Sequence, residues 1–551
     1  MMRNINFFRA RSIGAGFLLL ATVVVAGAAS PKLPVVPKWQ RFEQSFKSVF
    51  LYTNALQEAW MSVVFTSPTG QKYEVDGFWD GGRTWRVRFS PDELGRWKYQ
   101  TACSDETNPG LHKRGGEFLC ASPVGETRFH KHGPVRVARD RRHLEHLDGT
   151  PFFWVADTVW NGARMSDPKE WGYYAGCRAS QRFSVAQWAV APGMDVKNQS
   201  AYAAFPDQIG INPEFFQRLD AKQLILSQAG ILSAICPLLE LPSQKNVAPP
   251  LPDAQAELIF RYVVARYGAD PVVWLLAFEA DGAAANVGRW KRIGQTVLGS
   301  RAHAPVLLFT GETQWVLDEF RDLNWVDLFG YQAVTGFSED ALKWTFTGPF
   351  GGEWKKQPAR PIIGFAPYEN GVIGRSQKRF SSEDVRHALY WMTLLTPPAG
   401  FSYGAQGVVD WDQTFGPQAS ENKEGDLPMW RKSLFLPVAR QVGYLAGFMN
   451  STDFWSLRPQ PQVLAAQPGD QAPKRFIVAA ANESNTLSLI YVPEDRALDV
   501  MLDTLPKSPS VGWLNPRTGE RKPAIAVVTG KSCQFPTPDP GDWLLITKAG
   551  K

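Results

Sequence analysis

Between Phe152 and Val408, eight apolar runs of strand length alternate with segments whose apolar residues recur at helical spacing. The runs are FFWVADTVW, SVAQWAVA, ILSAICPLL, VVWLLAFE, PVLLFTG, DLFGYQAV, PIIGFAPYE and GFSYGAQGV. Runs this continuously apolar read as fully buried strands, the kind found in parallel sheets covered by crossover helices. The intervening segments supply those helices: Leu258, Ile259, Tyr262 and Val263 fall on one helical face, as do Val385, Leu389 and Met392. Ser381 followed three residues on by Asp384 is a helix start signal just ahead of the eighth run. Eight strands alternating with helices over about 250 residues predict a (β/α)8 TIM barrel, placed at residues 130–445.

At 551 residues the chain exceeds one ordinary core, and the pattern changes on both sides of the barrel. Residues 37–125 alternate apolar and polar positions (Trp85, Val87, Phe89) between turns at Pro68-Thr69-Gly70 and Asp80-Gly81-Gly82, predicting an Ig-like β-sandwich. Residues 450–549 read as a second small sandwich. Residues 1–28 have the form of a signal peptide: Arg3, Arg9 and Arg11, then an apolar stretch, then Ala26-Gly27-Ala28. The mature chain is therefore expected outside the cytoplasm, an uncleaved N-terminal anchor being the alternative, with no later segment apolar enough to insert stably in a membrane. A formal charge of +6 without a long basic run makes nucleic acid a poor partner. Five cysteines include Cys103 and Cys120, flanking a turn-rich loop and open to pairing in an oxidising compartment. None has metal-ligand spacing, so no metal is expected. Gly530-Lys531-Ser532 lacks the upstream glycine of a phosphate loop, because position 525 is Ile, and no cofactor motif replaces it.

A barrel of this kind works at the C-terminal ends of its strands, so polar residues there are the candidates. Glu279 closes the fourth run and Glu369 the seventh, each after a stretch too apolar for a carboxylate unless it opens onto a polar cavity. Asp157 closes the first, Gln187 and Trp188 lie in the second, Tyr331 and Gln332 in the sixth, Tyr368 beside Glu369, and Tyr403 and Gln406 in the eighth. Amides, aromatics and acids together suit a sugar. Trp160, Trp188 and Trp411 are either stacking platforms or core, and Asp157 either caps the following loop or grips sugar hydroxyls. Two carboxylates across a pocket are what glycosidic cleavage needs, one protonating the leaving oxygen while the other attacks the anomeric carbon or activates water. Glu279, behind Phe278, is read as the acid of raised pKa and Glu369 as the ionised nucleophile; the alternative is that such glutamates cap helices or pair with Arg375 or Arg164.

The stretch GPVRVARDRRHLEHLDGTPFFWVADTVWN, together with PYENG and SSEDVRHALYWMTLLTPPAGFSYGAQGV, resembles the apiosidase-like glycoside hydrolases around family 140. GFWDGGRTWRVRFSPDELGRWKY is similar to the sandwich that often precedes that barrel, and GWLNPRTGE with DWLLITK to the collagen-binding-type sandwich that often follows it. The resemblance implies catalytic roles for Glu279 and Glu369, and carries the first-strand Asp-Thr-x-Trp onto Asp157, Thr158 and Trp160. The chain departs from the pattern at Phe278, where a small residue is usual, and at Phe365, where many members have a further glutamate. The expected activity is hydrolysis of a plant or bacterial oligo- or polysaccharide. The competing expectation is a glycan- or matrix-binding protein on an inactive barrel. Sugar, linkage, stereochemical outcome and oligomeric state are not legible.

Overall fold

The computed structural model describes residues 33–550 apart from 206–207, 241–249, 278–282, 300, 311–314, 333–335, 337, 372–378, 414–429, 495 and 507. At its centre is a closed eight-stranded parallel barrel. Its strands are β1 (Trp154–Thr158), β2 (Val185–Ala191), β3 (Leu232–Leu238), β4 (Val272–Ala277), β5 (Val306–Thr310), β6 (Leu328–Tyr331), β7 (Ile362–Phe365) and β8 (Gly400–Gly404). Each falls inside one of the eight predicted runs. They pair in chain order, and β8 closes on β1 with Asp157 opposite Tyr403.

The covering helices are α1 (Pro168–Ser180), α2 (Pro213–Gln228), α3 (Asp253–Tyr267), α4 (Ala283–Leu298), α5 (Glu339–Thr347), α6 (Ser382–Leu394) and α7 (Pro437–Met449). Local chemistry starts them. Asp167 and Glu170 form a capping box on α1 with Pro168 in its first turn, and Ser381 and Asp384 form the one read from the sequence on α6. Between β5 and β6 the described residues hold a 3-10 turn, Leu317–Phe320, instead of an α-helix.

Alternation along each strand sorts the barrel into two cores. Trp154 and Ala156 of β1, Val185 and Ala189 of β2, Leu275 and Ala277 of β4, Phe309 of β5 and Phe365 of β7 pack together in the lumen. Val155, Trp188, Trp274, Leu308, Tyr331 and Tyr403 point the other way, into the helix layer. A small antiparallel sheet of Val135–Val137, Leu144–His146 and Pro151–Phe152 immediately precedes β1. Its Val135, Leu144 and Phe152 join the lumen core and floor the barrel at the N-terminal end of the strands.

A sandwich lies before and after the barrel. The first packs a five-stranded sheet on a three-stranded one around stacked pairs, Phe42 on Phe118 and Phe65 on Phe89, each with ring centroids 4.2 Å apart. The second packs a six-stranded sheet on a three-stranded one around Trp513, Trp543 and Phe535. Buried ion pairs fix both to the helix ring. Arg88 of the first sandwich and Arg266 of α3 share Asp220 of α2, with contacts of 2.7 Å each. Arg386 of α6 grips Asp542 of the second sandwich through two bonds of 2.7 and 2.9 Å. The pairing of Cys103 with Cys120, left open by the sequence, is not made: both thiols are free. Cys120 lies opposite Gly95, at the other end of the strand that Cys103 closes, a span of about 26 Å at strand rise.

Candidate active site

The mouth of the barrel is the C-terminal end of its lumen. Trp160, just past β1, is fully buried in the lumen core, and its indole N–H donates to the Tyr368 hydroxyl at 3.3 Å. The Tyr368 ring lies over Gly404, where even a Cβ would come within 2.4 Å of Cδ1, so β8 must carry glycine there. Burial pushes the Tyr368 hydroxyl up to about 12, and the charge of half-buried Asp410, in the loop after β8, pushes the same way. Asp410 follows β8 by six residues, in the loop that runs on from the Tyr368-covered Gly404. Gln332 directly follows β6 and Gln406 follows β8, both half-buried.

One layer below, the lumen holds a polar triad. Thr158 donates to the Gln187 side-chain oxygen at 2.9 Å, Ser402 donates to the same oxygen, and the two hydroxyls lie 3.0 Å apart. Gln187 is wholly buried, and its amide N–H groups have no partner among the described residues. It supports the mouth from beneath and does not line it.

Five sequence candidates lie outside the lumen: Asp157, Trp188, Tyr331, Tyr403 and Glu369. Asp157 turns into the helix layer, where Tyr174 donates at 2.9 Å and Arg178 at 2.8 Å, both from α1. Burial pushes its carboxyl up, against the pull of Arg178. Trp188 packs edge-on to Tyr267, Tyr331 accepts from the Trp344 indole at 2.9 Å, and Tyr403 points out beside Arg178. Trp411, the third stacking candidate, is core as well, stacked on Trp430 at 4.1 Å. Alternation is the reason for the strand residues: Asp157, Trp188, Tyr331 and Tyr403 all fall on the helix-layer face of their strands.

Glu369 shares that face. It pairs in parallel register with Ala405, whose side chain belongs to the outer core with Tyr403. The carboxylate is 1% exposed. Tyr403 donates to Oε2 at 2.6 Å, while Ser382 Oγ and the Val438 backbone N–H donate to Oε1 at 2.6 and 3.3 Å. Ser382 and Val438 lie in the first turns of α6 and α7, so Glu369 sits against the positive ends of two helix dipoles. The carboxylate thus faces away from the lumen, accepting one hydrogen bond on Oε2 and two on Oε1. Glu279, its expected partner, lies outside the described residues, as do Phe278, Asp281 and Arg375. It follows by two residues Ala277, which faces the lumen.

A family model described as "Apiosidase-like, catalytic domain" matches residues 138–456, more than half of the chain. The chain belongs to this apiosidase-like family. The barrel is accordingly that of a glycosidase. Residues 35–104 match a domain of unknown function, DUF5060, and residues 459–548 a model described as "Putative collagen-binding domain of a collagenase". No curated protein sequence matches the chain. A glycoside hydrolase family 5 structure from Bacteroides vulgatus ATCC 8482 is similar at 19% identity and a TM-score of 0.64, over 77% of this chain and 94% of its own. A "putative glycoside hydrolase" from the same organism is similar at 17% identity and a TM-score of 0.66, over 94% of this chain and 99% of its own. At such identities these structures show a shared fold, in the second case across nearly the whole chain.

Against the apiosidase-like pattern the decisive position is the lumen end of β7. Phe365 occupies it, with its ring centroid 4.1 Å from that of Phe309. Gly330 of β6 makes the room, since a Cβ there would come within 2.8 Å of the Phe365 ring. Where many members of this family carry a glutamate, this apiosidase-like barrel has an aromatic wall. Sequence reasoning passed over Asp410 because it follows β8 by six residues instead of closing it.

Proposed function

We propose that the chain is exported and hydrolyses a glycosidic bond in a complex plant or bacterial polysaccharide. The basic and apolar N-terminal segment supports export. Glu279 is the acid that protonates the leaving oxygen, a role supported by its place two residues beyond lumen-facing Ala277 and by the apolar run before it. Asp410 is the second carboxylate, assigned on its place half-buried in the loop after β8 with its charge acting on Tyr368, and it orients the attacking water or the anomeric centre. Half-buried Tyr368 faces the sugar, helped by Gln332 and Gln406, and the buried Trp160 indole holds its hydroxyl in place from behind. Glu369 is a positioning residue: it fixes the β7 and β8 ends on which Tyr368 and Asp410 are carried. Asp157, with Tyr174 and Arg178, does the same for β1 and Trp160. The flanking sandwiches place the barrel or hold polymer and carry none of the chemistry.

The observation that carries this reading is the bonded Trp160–Tyr368 pair, with the charge of Asp410 acting on Tyr368, at the open end of an apiosidase-like lumen. Purified protein assayed against plant and bacterial polysaccharides and aryl glycosides is expected to release reducing sugar, and Asp410→Asn is expected to lower that release at least a hundredfold. Phe365 favours a second reading, a barrel that binds saccharide without cutting it. Folded protein that retains a polysaccharide yet releases nothing from any member of a broad panel decides for that reading.

A further inference from the structure

Away from the barrel mouth, a cleft of about 720 Å³ runs between the end of α1, helix α7 and the second sandwich. Arg182, Arg440 and Arg521 line it, and among the described residues no carboxylate does. All three are exposed, and among the described residues none forms an ion pair. The arginines that hold the domains together, such as Arg88, Arg266 and Arg386, each have an acidic partner.

The cleft is built around its cations. Gly443 and Gly447 present the bare backbone of α7 on one face; a Cβ on Gly447 would come within 2.7 Å of an Arg182 nitrogen, so the guanidinium lies across the helix where a side chain is missing. Arg182 itself has φ of 68°, a left-handed conformation that a side chain disfavours. Arg521 is set over the Phe448 ring at 5.7 Å. Flat apolar faces complete the lining: Tyr444 is half-buried and Phe435 is 62% exposed at the rim. Guanidinium forks match carboxylate or sulfate oxygens, and aromatic faces match the C–H faces of sugar rings.

We propose that this cleft binds an anionic polysaccharide, its acid groups held by Arg182, Arg440 and Arg521 and its rings resting on Tyr444 and Phe435. The site is independent of hydrolysis in the barrel, and it holds a chain bearing uronate or sulfate groups beside the catalytic domain. A cleft of this volume is within the usual range of ligand sites.

Affinity electrophoresis of the full chain tests this with de-esterified polygalacturonate, heparin, a neutral galactan and a single-stranded oligodeoxynucleotide at matched ionic strength. The wild-type protein is expected to be retarded by polygalacturonate or heparin and not by galactan. Retardation by polygalacturonate marks the uronate source, and by heparin alone the sulfate source. The triple variant Arg182→Ala, Arg440→Ala, Arg521→Ala is expected to lose at least tenfold in affinity while keeping its unfolding temperature, since all three side chains are exposed. If that variant fails to fold, Arg440→Glu alone is expected to show the same direction of loss. Unchanged retardation of a folded variant, retardation by galactan as strong as by either polyanion, or oligonucleotide binding equal to polysaccharide binding would overturn the proposal.

Discussion

Glu369 ties together the first turns of α6 and α7, since Ser382 and Val438 donate to the same oxygen while Tyr403 holds the other. Removing it leaves three buried donors without an acceptor, so Glu369→Ala is expected to cost about 3 kcal/mol in denaturant unfolding. The same variant distinguishes positioning from chemistry. Were Glu369 the nucleophile, azide would restore turnover of an activated aryl glycoside and yield a glycosyl azide; a positioning residue gives no such rescue, and none is expected here. Glu369 was legible as a special residue, because a carboxylate after PIIGFAPY must have partners. Its face was not. Asp157 shows the signal that would have helped: Tyr174 and Arg178, one turn apart on the next helix, are the partners of an outward-facing acid.

At the scale of elements, all eight strands were readable because each is a continuous apolar run. The same continuity hid their facing, since a strand buried on both sides carries no polar alternation to mark its lumen side. The lumen is marked instead by residues whose meaning depends on neighbours, such as Gly330 beside Phe365 and Gly404 beneath Tyr368. The floor hairpin carries a prediction of its own. His146 donates through Nδ1 to the Gly133 carbonyl at 2.7 Å and meets the Phe152 ring edge-on. Burial lowers its pKa from 6.5 to about 4, with the hydrogen bond to Gly133 opposing the shift. The folded state therefore resists a proton that the unfolded chain accepts, so stability is full above pH 6.5 and falls as pH drops from there toward 4. The whole effect is about 3 kcal/mol. Urea unfolding at pH 7 and pH 4.5 is expected to show a smaller acid loss for His146→Gln than for wild type, and equal losses would remove His146 from the explanation.

Across the whole molecule, the two sandwiches and the barrel are joined by buried charge, a kind of contact that cannot be read from runs and periods because its partners lie far apart in sequence. Arg386 and Asp542 are 156 residues apart and nearly inaccessible. Arg386→Ala leaves Asp542 buried with the Tyr491 hydroxyl as its hydrogen-bond donor and Arg517 at 3.7 Å as its remaining cation, so a loss of about 3 kcal/mol is expected. Calorimetry should then resolve a separate, earlier transition for the C-terminal sandwich; a single unshifted transition would mean that the ion pair does not couple the domains. The most direct test of the central claim is the initial rate of Glu279→Gln and Glu369→Gln, beside wild type, on whichever natural polysaccharide the wild-type protein cleaves. Glu279→Gln is expected to lose at least a thousandfold in kcat with its unfolding temperature unchanged, and Glu369→Gln to be less stable yet still active. A folded Glu279→Gln that cuts at the wild-type rate, or a stable Glu369→Gln that is inert on every substrate, would contradict it.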